Sequence, residues 1–129
     1  MSFLLDTHIL LWALYRPAML SRHWQESLMA PETRVYFSAV SIAEIAVKKV
    51  LKRPDFPYPP QRVYDLAVTA GFDELPLNSR HANELANLQP HHRDPFDRLL
   101  IAQARVESYR LITADKVLLS YSDLAVLVS

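Results

Sequence analysis

Residues 3–12 read Phe3-Leu4-Leu5-Asp6-Thr7-His8-Ile9-Leu10-Leu11-Trp12, where a short apolar run ends at an acid and a longer apolar run follows. The first run has the length of a buried strand, and the second predicts a buried helix that ends before Pro17. A strand followed directly by a helix is the first half of a βαβ unit, whose two strands lie parallel in one sheet. This segment therefore favours an α/β fold.

The remaining sequence continues the alternation of strands and helices. Further strands are predicted at 35–37, 72–77, 110–113 and 124–128, and helices at 21–30, 41–51, 61–70, 79–88 and from 94 onward. The proline-rich segment 53–60 is expected to be an extended loop, and 90–93 a polar turn. We predict one domain over 1–129, a three-layer α/β/α sandwich with a central parallel sheet of four to five short strands.

Composition excludes several classes of protein and of site. The 129 residues include 14 Lys and Arg against 14 Asp and Glu, so a polybasic binder driven by bulk charge is not expected. The absence of cysteine excludes disulfides, thiolate metal sites and a cysteine nucleophile. A single glycine, Gly71, excludes the glycine-rich phosphate loops. No apolar run approaches the ~18 residues of a membrane span, and no signal peptide is apparent, so a cytoplasmic location without membrane association is expected.

Four acids follow predicted strands or begin predicted helices: Asp6, Glu44, Asp97 and Asp115. The carboxyl ends of parallel strands share one edge of the sheet, and the following helices begin there. The four carboxylates should therefore point toward one crevice. At ~5 Å two carboxylates repel by roughly 3 kcal/mol at an effective dielectric of ~20, so a cation such as Mg²⁺ or Mn²⁺ is expected among them.

Helix capping is the structural alternative for these acids. Ser41 and Glu44 match a capping box, and Asp94 before Pro95 is a good N-cap with Asp97 in the first turn. Capping does not require a carboxylate after two different buried strands, as at Asp6 and Asp115. The residues alone therefore indicate metal-dependent phosphoryl chemistry, and helix capping remains open as the alternative.

The chain resembles PIN-domain proteins, above all the VapC-type toxins of bacterial toxin–antitoxin pairs. The resemblance runs through the whole chain in four segments, and the third is highly specific. These segments are Leu4-Leu5-Asp6-Thr7-His8-Ile9-Leu10-Leu11-Trp12, Ser38-Ala39-Val40-Ser41-Ile42-Ala43-Glu44-Ile45-Ala46-Val47-Lys48, His92-Arg93-Asp94-Pro95-Phe96-Asp97-Arg98-Leu99-Leu100-Ile101-Ala102-Gln103-Ala104 and Leu111-Ile112-Thr113-Ala114-Asp115. Ala43 replaces a frequent Trp, and Tyr15-Arg16-Pro17 replaces a turn that usually carries Gly and Asp, but no acid is lost.

The resemblance implies a PIN-like α/β/α fold and a metal-dependent endoribonuclease. Asp6, Glu44, Asp97 and Asp115 would be the catalytic and metal-binding acids, with Asp6 and Asp97 as the central ligands of Mg²⁺ or Mn²⁺. A metal-activated water would hydrolyse RNA phosphodiester bonds and leave a 5′-phosphate. The resemblance also implies a homodimer, an antitoxin whose C-terminal tail covers the active site, and contact with operator DNA only through that antitoxin.

Six further residues are candidates for orienting the acids or contacting substrate: Thr7, Ser41, Lys48, Asp94, Arg98 and Thr113. Each also has a purely structural explanation. The hydroxyls and Asp94 can cap helices or stabilise turns, Lys48 can form a surface i,i+4 pair with Glu44, and Arg98 can form a structural ion pair. The basic run Lys48, Lys49, Lys52 and Arg53 could follow an RNA backbone or simply be a solvated helix end. Trp12, Tyr15 and Trp24 are assigned to the core or a dimer surface rather than to base stacking.

Two other functions compete with the nuclease. A phosphatase with Asp6 as nucleophile, as in haloacid-dehalogenase-like enzymes, needs an acid where His8 stands. A degenerate PIN or receiver-like module would bind Mg²⁺ or a partner in the acidic pocket without cutting RNA. The pair His91-His92 is expected to belong to a turn rather than to a histidine metal site.

Overall fold

A computed structural model describes residues 1–89, 94–120 and 124–128. In these ranges strands and helices alternate, and short 3₁₀ turns follow three of the helices or strands. The strands are β1 (Ser2–Leu5), β2 (Arg34–Ser38), β3 (Asp73–Leu75), β4 (Arg110–Thr113) and β5 (Ala125–Leu127). The α-helices are α1 (Thr7–Tyr15), α2 (Arg22–Met29), α3 (Ala39–Val50), α4 (Pro60–Thr69), α5 (Ser79–Glu84) and α6 (Pro95–Glu107). The 3₁₀ turns are Pro17–Met19, Leu85–Asn87 and Lys116–Ser120.

The five strands form one parallel sheet in the order β3-β2-β1-β4-β5. Strand β1 is central, and its Leu5 pairs in register with Ile112 of β4. The order of connections reverses between β1 and β4, since the chain first builds outward through β2 and β3 and then returns to the other side of β1. In open α/β sheets such a switch point, at the carboxyl ends of the strands, forms a crevice. The predicted α/β/α fold with a parallel sheet is confirmed.

Two apolar cores lie on opposite faces of the sheet. Side chains alternate between the faces along a strand, so Phe3 and Leu5 pack in a core with residues of α1, α2 and α4. Leu4 between them packs in the other core with α6, through Leu100 and Ile101. Because both faces of β1 are covered, its last three residues, Phe3, Leu4 and Leu5, are almost fully buried. The strand is thus a rigid support for the acid that follows it.

Several boundaries differ from those expected, and two differences matter for the site. Helix α3 begins at Ala39 and is capped by the Ser38 hydroxyl, which accepts a hydrogen bond from Val40 N at 2.9 Å. The capping box predicted for Ser41 and Glu44 is therefore wrong, and both side chains are free for other contacts. Helix α1 begins at Thr7, directly after its N-cap Asp6.

The other differences are local. Strand β3 is shorter than the predicted 72–77, and α5 is capped by Asn78 rather than by Ser79. Gly71 has φ +90°, which fits the predicted left-handed end of α4. The turn at 90–93, with its two histidines, lies outside the described residues. Among the described helices, none has both the length and the apolar character to cross a membrane.

Candidate active site

The candidate site lies at the carboxyl ends of β1 and β4. Asp6 follows β1 and Asp115 closely follows β4, while Glu44 projects from α3 and Asp97 from the first turn of α6. These positions surround the switch point of the sheet. The backbone joins the two central strands here, because Asp6 N donates to Ile112 O at 3.0 Å.

Asp6 is a buried carboxylic acid, with only 6% of its surface exposed. Its Oδ1 accepts a hydrogen bond from Ile9 N at 2.9 Å, which makes it the N-cap of α1. Burial raises the pKa of Asp6 from 3.8 to about 6, against hydrogen bonds from Thr113 and Ile9 and the charge of His8, which lower it. The negative charge of Asp97 also raises this pKa, so the two carboxylates interact electrostatically.

Asp97 is half-buried in the first turn of α6, and Asp94 is the N-cap of that helix. Asp94 Oδ1 accepts hydrogen bonds from Phe96 N at 2.9 Å and from Asp97 N at 3.2 Å. Asp94 is thus an N-cap. Since the cap is supplied by Asp94, the Asp97 carboxylate is not needed for capping, and its charge acts on Asp6.

Glu44 belongs to a buried network with Lys48, Thr7 and Ser41. Lys48 Nζ donates to Glu44 Oε2 at 2.5 Å, and Thr7 Oγ1 donates to Glu44 Oε1 at 2.6 Å. The Ser41 hydroxyl lies 2.9 Å from Thr7 Oγ1. Because Thr7 has one hydroxyl hydrogen, which Glu44 receives, Ser41 must donate to Thr7. Both oxygens of Glu44 are therefore occupied, and its charge is balanced inside the protein.

Asp115 is exposed, and it caps the 3₁₀ turn that follows β4. Its Oδ1 accepts a hydrogen bond from Val117 N at 3.0 Å, while its own N–H donates to Thr113 Oγ1 at 3.0 Å. The Thr113 hydroxyl also hydrogen-bonds the Asp6 carboxylate. Thr113 therefore ties the Asp115 backbone to Asp6, although the Asp115 side chain is engaged elsewhere. Arg98 Nη1 donates to Gln89 O at 2.7 Å.

Within the site, the charge of Asp97 acts on Asp6, while Glu44 and Asp115 each have hydrogen-bond partners of their own. Within the described ranges, no three His, Asp or Glu side chains lie close enough together to hold a metal ion. Lys48 and Thr7 donate hydrogen bonds to Glu44, and Asp115 accepts one from Val117 N. A pair still suits Mg²⁺, which commonly binds through one or two carboxylates and keeps several waters. The donor set of Asp6 and Asp97 fits such an ion.

Phe56 is a site neighbour that the sequence reasoning did not single out. Its ring lies 4.5 Å from Lys48 Nζ, and it meets the His8 ring edge-on at 5.5 Å between centroids. Phe56 is only 1% exposed although it belongs to the proline-rich loop 51–59. A large apolar residue between Asp55 and Pro57 in a polar loop was the available signal, since such a residue tends to be buried.

The sequence also gave no sign of a hydrogen bond that joins α3, which carries Glu44, to α6, which carries Asp97. Ser38, the N-cap of α3, donates from its hydroxyl to Gln103 Oε1 of α6 at 2.5 Å. Both side chains are fully buried. This bond fixes the start of α3 against α6 and so sets the separation of the two acid-bearing elements.

The raised pKa of Asp6 predicts a pH-dependent stability. The pKa of Asp6 is about 6 in the folded protein and 3.8 for an ordinary Asp, which represents the unfolded chain. The folded state therefore binds this proton more tightly. The associated stability is complete below about pH 4 and is lost as pH rises through 6, a loss of about 3 kcal/mol. Asp6→Asn keeps the cap without the charge. We expect it to be more stable than the wild type by up to about 3 kcal/mol at neutral pH and nearly equal near pH 4.

Urea unfolding at both pH values measures this difference. Asp94→Asn, the same exchange at a half-buried N-cap, controls for the general effect of the amide on capping. A gain from Asp6→Asn that is the same at both pH values would contradict burial of the charge as its cause.

The fold is shared with solved toxin–antitoxin complexes. VapBC2 from Rickettsia felis, bound to a DNA fragment from its promoter, is 16% identical with a TM-score of 0.72 and covers 98% of this chain and 97% of that one. A toxin–antitoxin complex from Klebsiella pneumoniae is 18% identical with a TM-score of 0.63 and the same coverage. FitAcB from Neisseria gonorrhoeae is 20% identical with a TM-score of 0.60 and covers 97% and 96%.

These identities are low, so the structural likeness shows the fold alone. No curated protein sequence is significantly similar to the chain. The family model of the PIN domain, however, matches residues 3–124, nearly the whole sequence. The match includes both acids that interact at the switch point. The chain therefore belongs to the PIN-domain family.

Proposed function

We propose that this chain is a metal-dependent endoribonuclease and the VapC-type toxin of a toxin–antitoxin pair. The observation that carries the proposal is the buried Asp6 carboxyl at the switch point, whose pKa is raised to about 6 by burial and also by the charge of Asp97. Two interacting carboxylates in a crevice are an unfavourable arrangement without a cation. Their position at the carboxyl ends of the central strands is where α/β proteins bind ligands.

Asp6 and Asp97 would hold Mg²⁺ or Mn²⁺, since both ions prefer oxygen ligands. When bound, such an ion neutralises charge on a phosphodiester and makes nearby water more acidic. The protein's own groups orient the site. Thr113 and the Ile9 N–H fix the Asp6 carboxylate, and Asp94 fixes the turn that carries Asp97. Glu44 holds the Lys48 side chain through an ion pair.

The proposed reaction is hydrolysis of an RNA phosphodiester bond. Water attacks the phosphorus in line, the bond from phosphorus to the ribose 3′-oxygen breaks, and that oxygen takes a proton. The products are a 5′-phosphate and a 3′-hydroxyl. Lys48 would help to balance the charge of the phosphate.

The toxin assignment draws on two of the similar solved structures, a toxin–antitoxin complex and a VapBC2 assembly bound to promoter DNA. We propose a homodimer and an antitoxin whose C-terminal tail covers Asp6 and Asp97. Contact with operator DNA would then come through the antitoxin, which agrees with the equal numbers of cationic and anionic residues in this chain.

A module that binds a metal or partner without cutting RNA is the second candidate. The pairing of Glu44 with Lys48 favours it, because only two of the four acids then interact directly. The two candidates differ in one measurable property, which is whether metal binding is accompanied by hydrolysis.

Cleavage of end-labelled mixed RNA by the partner-free protein tests the proposal. We expect cleavage with Mg²⁺ or Mn²⁺, 5′-phosphate ends on the products, and no cleavage with EDTA. Metal binding by calorimetry without any cleavage would favour the binding module. Absence of metal binding would remove the basis of both.

A further inference from the structure

A cavity of about 210 Å³ opens beside the acid site, between α1 and the loop 51–59. His8, Trp12 and Arg16 line it from α1 and its end, and Asp55 and Tyr58 line it from the loop. Ligand pockets for drug-sized molecules are usually about 300–1,000 Å³. This cavity is smaller and suits a single ring system with a polar substituent.

His8 and Phe56 lie between the cavity and the candidate active site. His8 lies two residues after Asp6, and its charge acts on the Asp6 carboxyl. Phe56 packs edge-on against His8 on one side and under Lys48 on the other. One buried ring therefore lies between the cavity and the Lys48–Glu44 pair, and His8, which lines the cavity, also acts on Asp6.

Aromatic rings and a free cation give the cavity its chemistry. The Tyr58 ring is held by Tyr15, with ring centroids 4.6 Å apart, and Trp12 is half-buried against the same core. Among the residues that the structure describes, the Arg16 guanidinium forms no ion pair. The lining acid Asp55 has a partner of its own, Arg53, at 4.0 Å.

Further cations border the loop. Lys49 Nζ donates to Pro57 O at 3.4 Å, and Arg62 lies near enough to lower the pKa of Tyr15. The whole chain has equal numbers of acidic and basic residues, so this is a local concentration of positive charge. Aromatic walls with a cationic rim bind single-stranded nucleic acid, because every base offers a face for stacking and every nucleotide a phosphate.

We propose that this cavity is a base-binding subsite, which takes one nucleobase of single-stranded RNA between Trp12 and Tyr58 and contacts the adjoining phosphate through Arg16. The choice of RNA as ligand rests on the proposed nuclease function. The subsite would place a neighbouring phosphate beside Asp6 and Asp97, and its shape would contribute to the choice of cleavage position. Trp12 is thus assigned a ligand contact that the sequence alone did not indicate.

The test uses binding in EDTA, which requires neither metal nor cleavage. Trp24→Phe leaves Trp12 as the only tryptophan of the two in the chain. Nucleoside 5′-monophosphates are titrated while Trp12 fluorescence is followed, with ribose 5-phosphate as the ligand that lacks a base. We expect saturable quenching by at least one nucleotide and none by ribose 5-phosphate.

Two substitutions in this background locate the contact. Arg16→Ala should weaken nucleotide binding about tenfold, as expected for a charge-assisted hydrogen bond. Arg22→Ala removes the same charge from an exposed position on α2, where the side chain is 92% accessible, and should leave the affinity unchanged. Thermal melting of both variants confirms that they are folded.

Absence of quenching by every nucleotide would overturn the subsite. Equal weakening by Arg16→Ala and Arg22→Ala would also overturn it, because the binding would then follow overall charge. The outcome is separable from the nuclease proposal. A protein that binds nucleotides in EDTA but cuts no RNA supports the subsite and contradicts the nuclease, whereas cleavage without quenching does the reverse.

Discussion

Replacement of Asp97 by Asn is expected to reduce RNA cleavage roughly a thousandfold while the protein stays folded. The Asp6–Asp97 pair would hold the divalent ion, and such an ion contributes several kcal/mol to a transition state that gains negative charge, at 1.4 kcal/mol per tenfold in rate. Asp94 supplies the cap, so the start of α6 stays capped after the exchange.

Cleavage rates at saturating Mg²⁺ or Mn²⁺ measure the effect, and calorimetry shows whether ion affinity falls with them. Asp65→Asn is the matched control, since Asp65 is an exposed acid on α4 whose side chain accepts a hydrogen bond from Gln61. Its cleavage rate should equal that of the wild type. Unchanged cleavage in Asp97→Asn would contradict the assignment of Asp97 to the metal.

The second large effect is expected from Lys48→Met, which should destabilise the fold by about 3 kcal/mol. Glu44 has 3% of its side chain exposed and Lys48 has 15%. Removal of one partner from a buried ion pair leaves an unbalanced charge and costs about 3–5 kcal/mol. The value should lie at the lower end because Lys48 keeps some contact with water.

Urea unfolding of a double-mutant set measures the pairing. Glu44→Gln/Lys48→Met should recover at least half of the loss, because Gln keeps an acceptor for Thr7 and carries no charge. The exposed i,i+4 pair of Arg22 and Glu26 provides the comparison, with side chains 92% and 74% accessible. Arg22→Met should change stability by less than about 0.5 kcal/mol. If Lys48→Met also lowers stability by less than about 0.5 kcal/mol, the Lys48–Glu44 pair is solvated rather than buried.

The network around Glu44 also bears on the mechanism. Lys48 and Thr7 each donate a hydrogen bond to one oxygen of Glu44, and the Lys48 charge lowers the attraction of Glu44 for a cation. Glu44 in turn holds Lys48 in place. Asp6 differs, because it forms no such ion pair with any residue that the structure describes and its pKa is raised by burial.

The architecture could be predicted from the sequence, because hydrophobic periodicity and the positions of helix-capping and helix-breaking residues are local signals. Apolar runs of strand length alternate with helical ones, and Pro95 after Asp94 marks a helix start without any tertiary information. The parallel sheet and the placement of four acids near one edge follow from that alternation. The motifs that resemble PIN domains are local as well, and the family match covers the same residues.

The contacts and the burial of each acid depend on the tertiary structure. A local pattern assigned Ser41 and Glu44 to a capping box, but Ser38 caps α3 because Gln103 of a distant helix fixes its hydroxyl. Burial of Asp6, the pairing of Glu44 with Lys48 and the turning of Asp115 to its cap all depend on side chains far apart in the chain. The role of a charged group depends on its desolvation and on its neighbours within a few ångströms, and neither is encoded in sequence spacing.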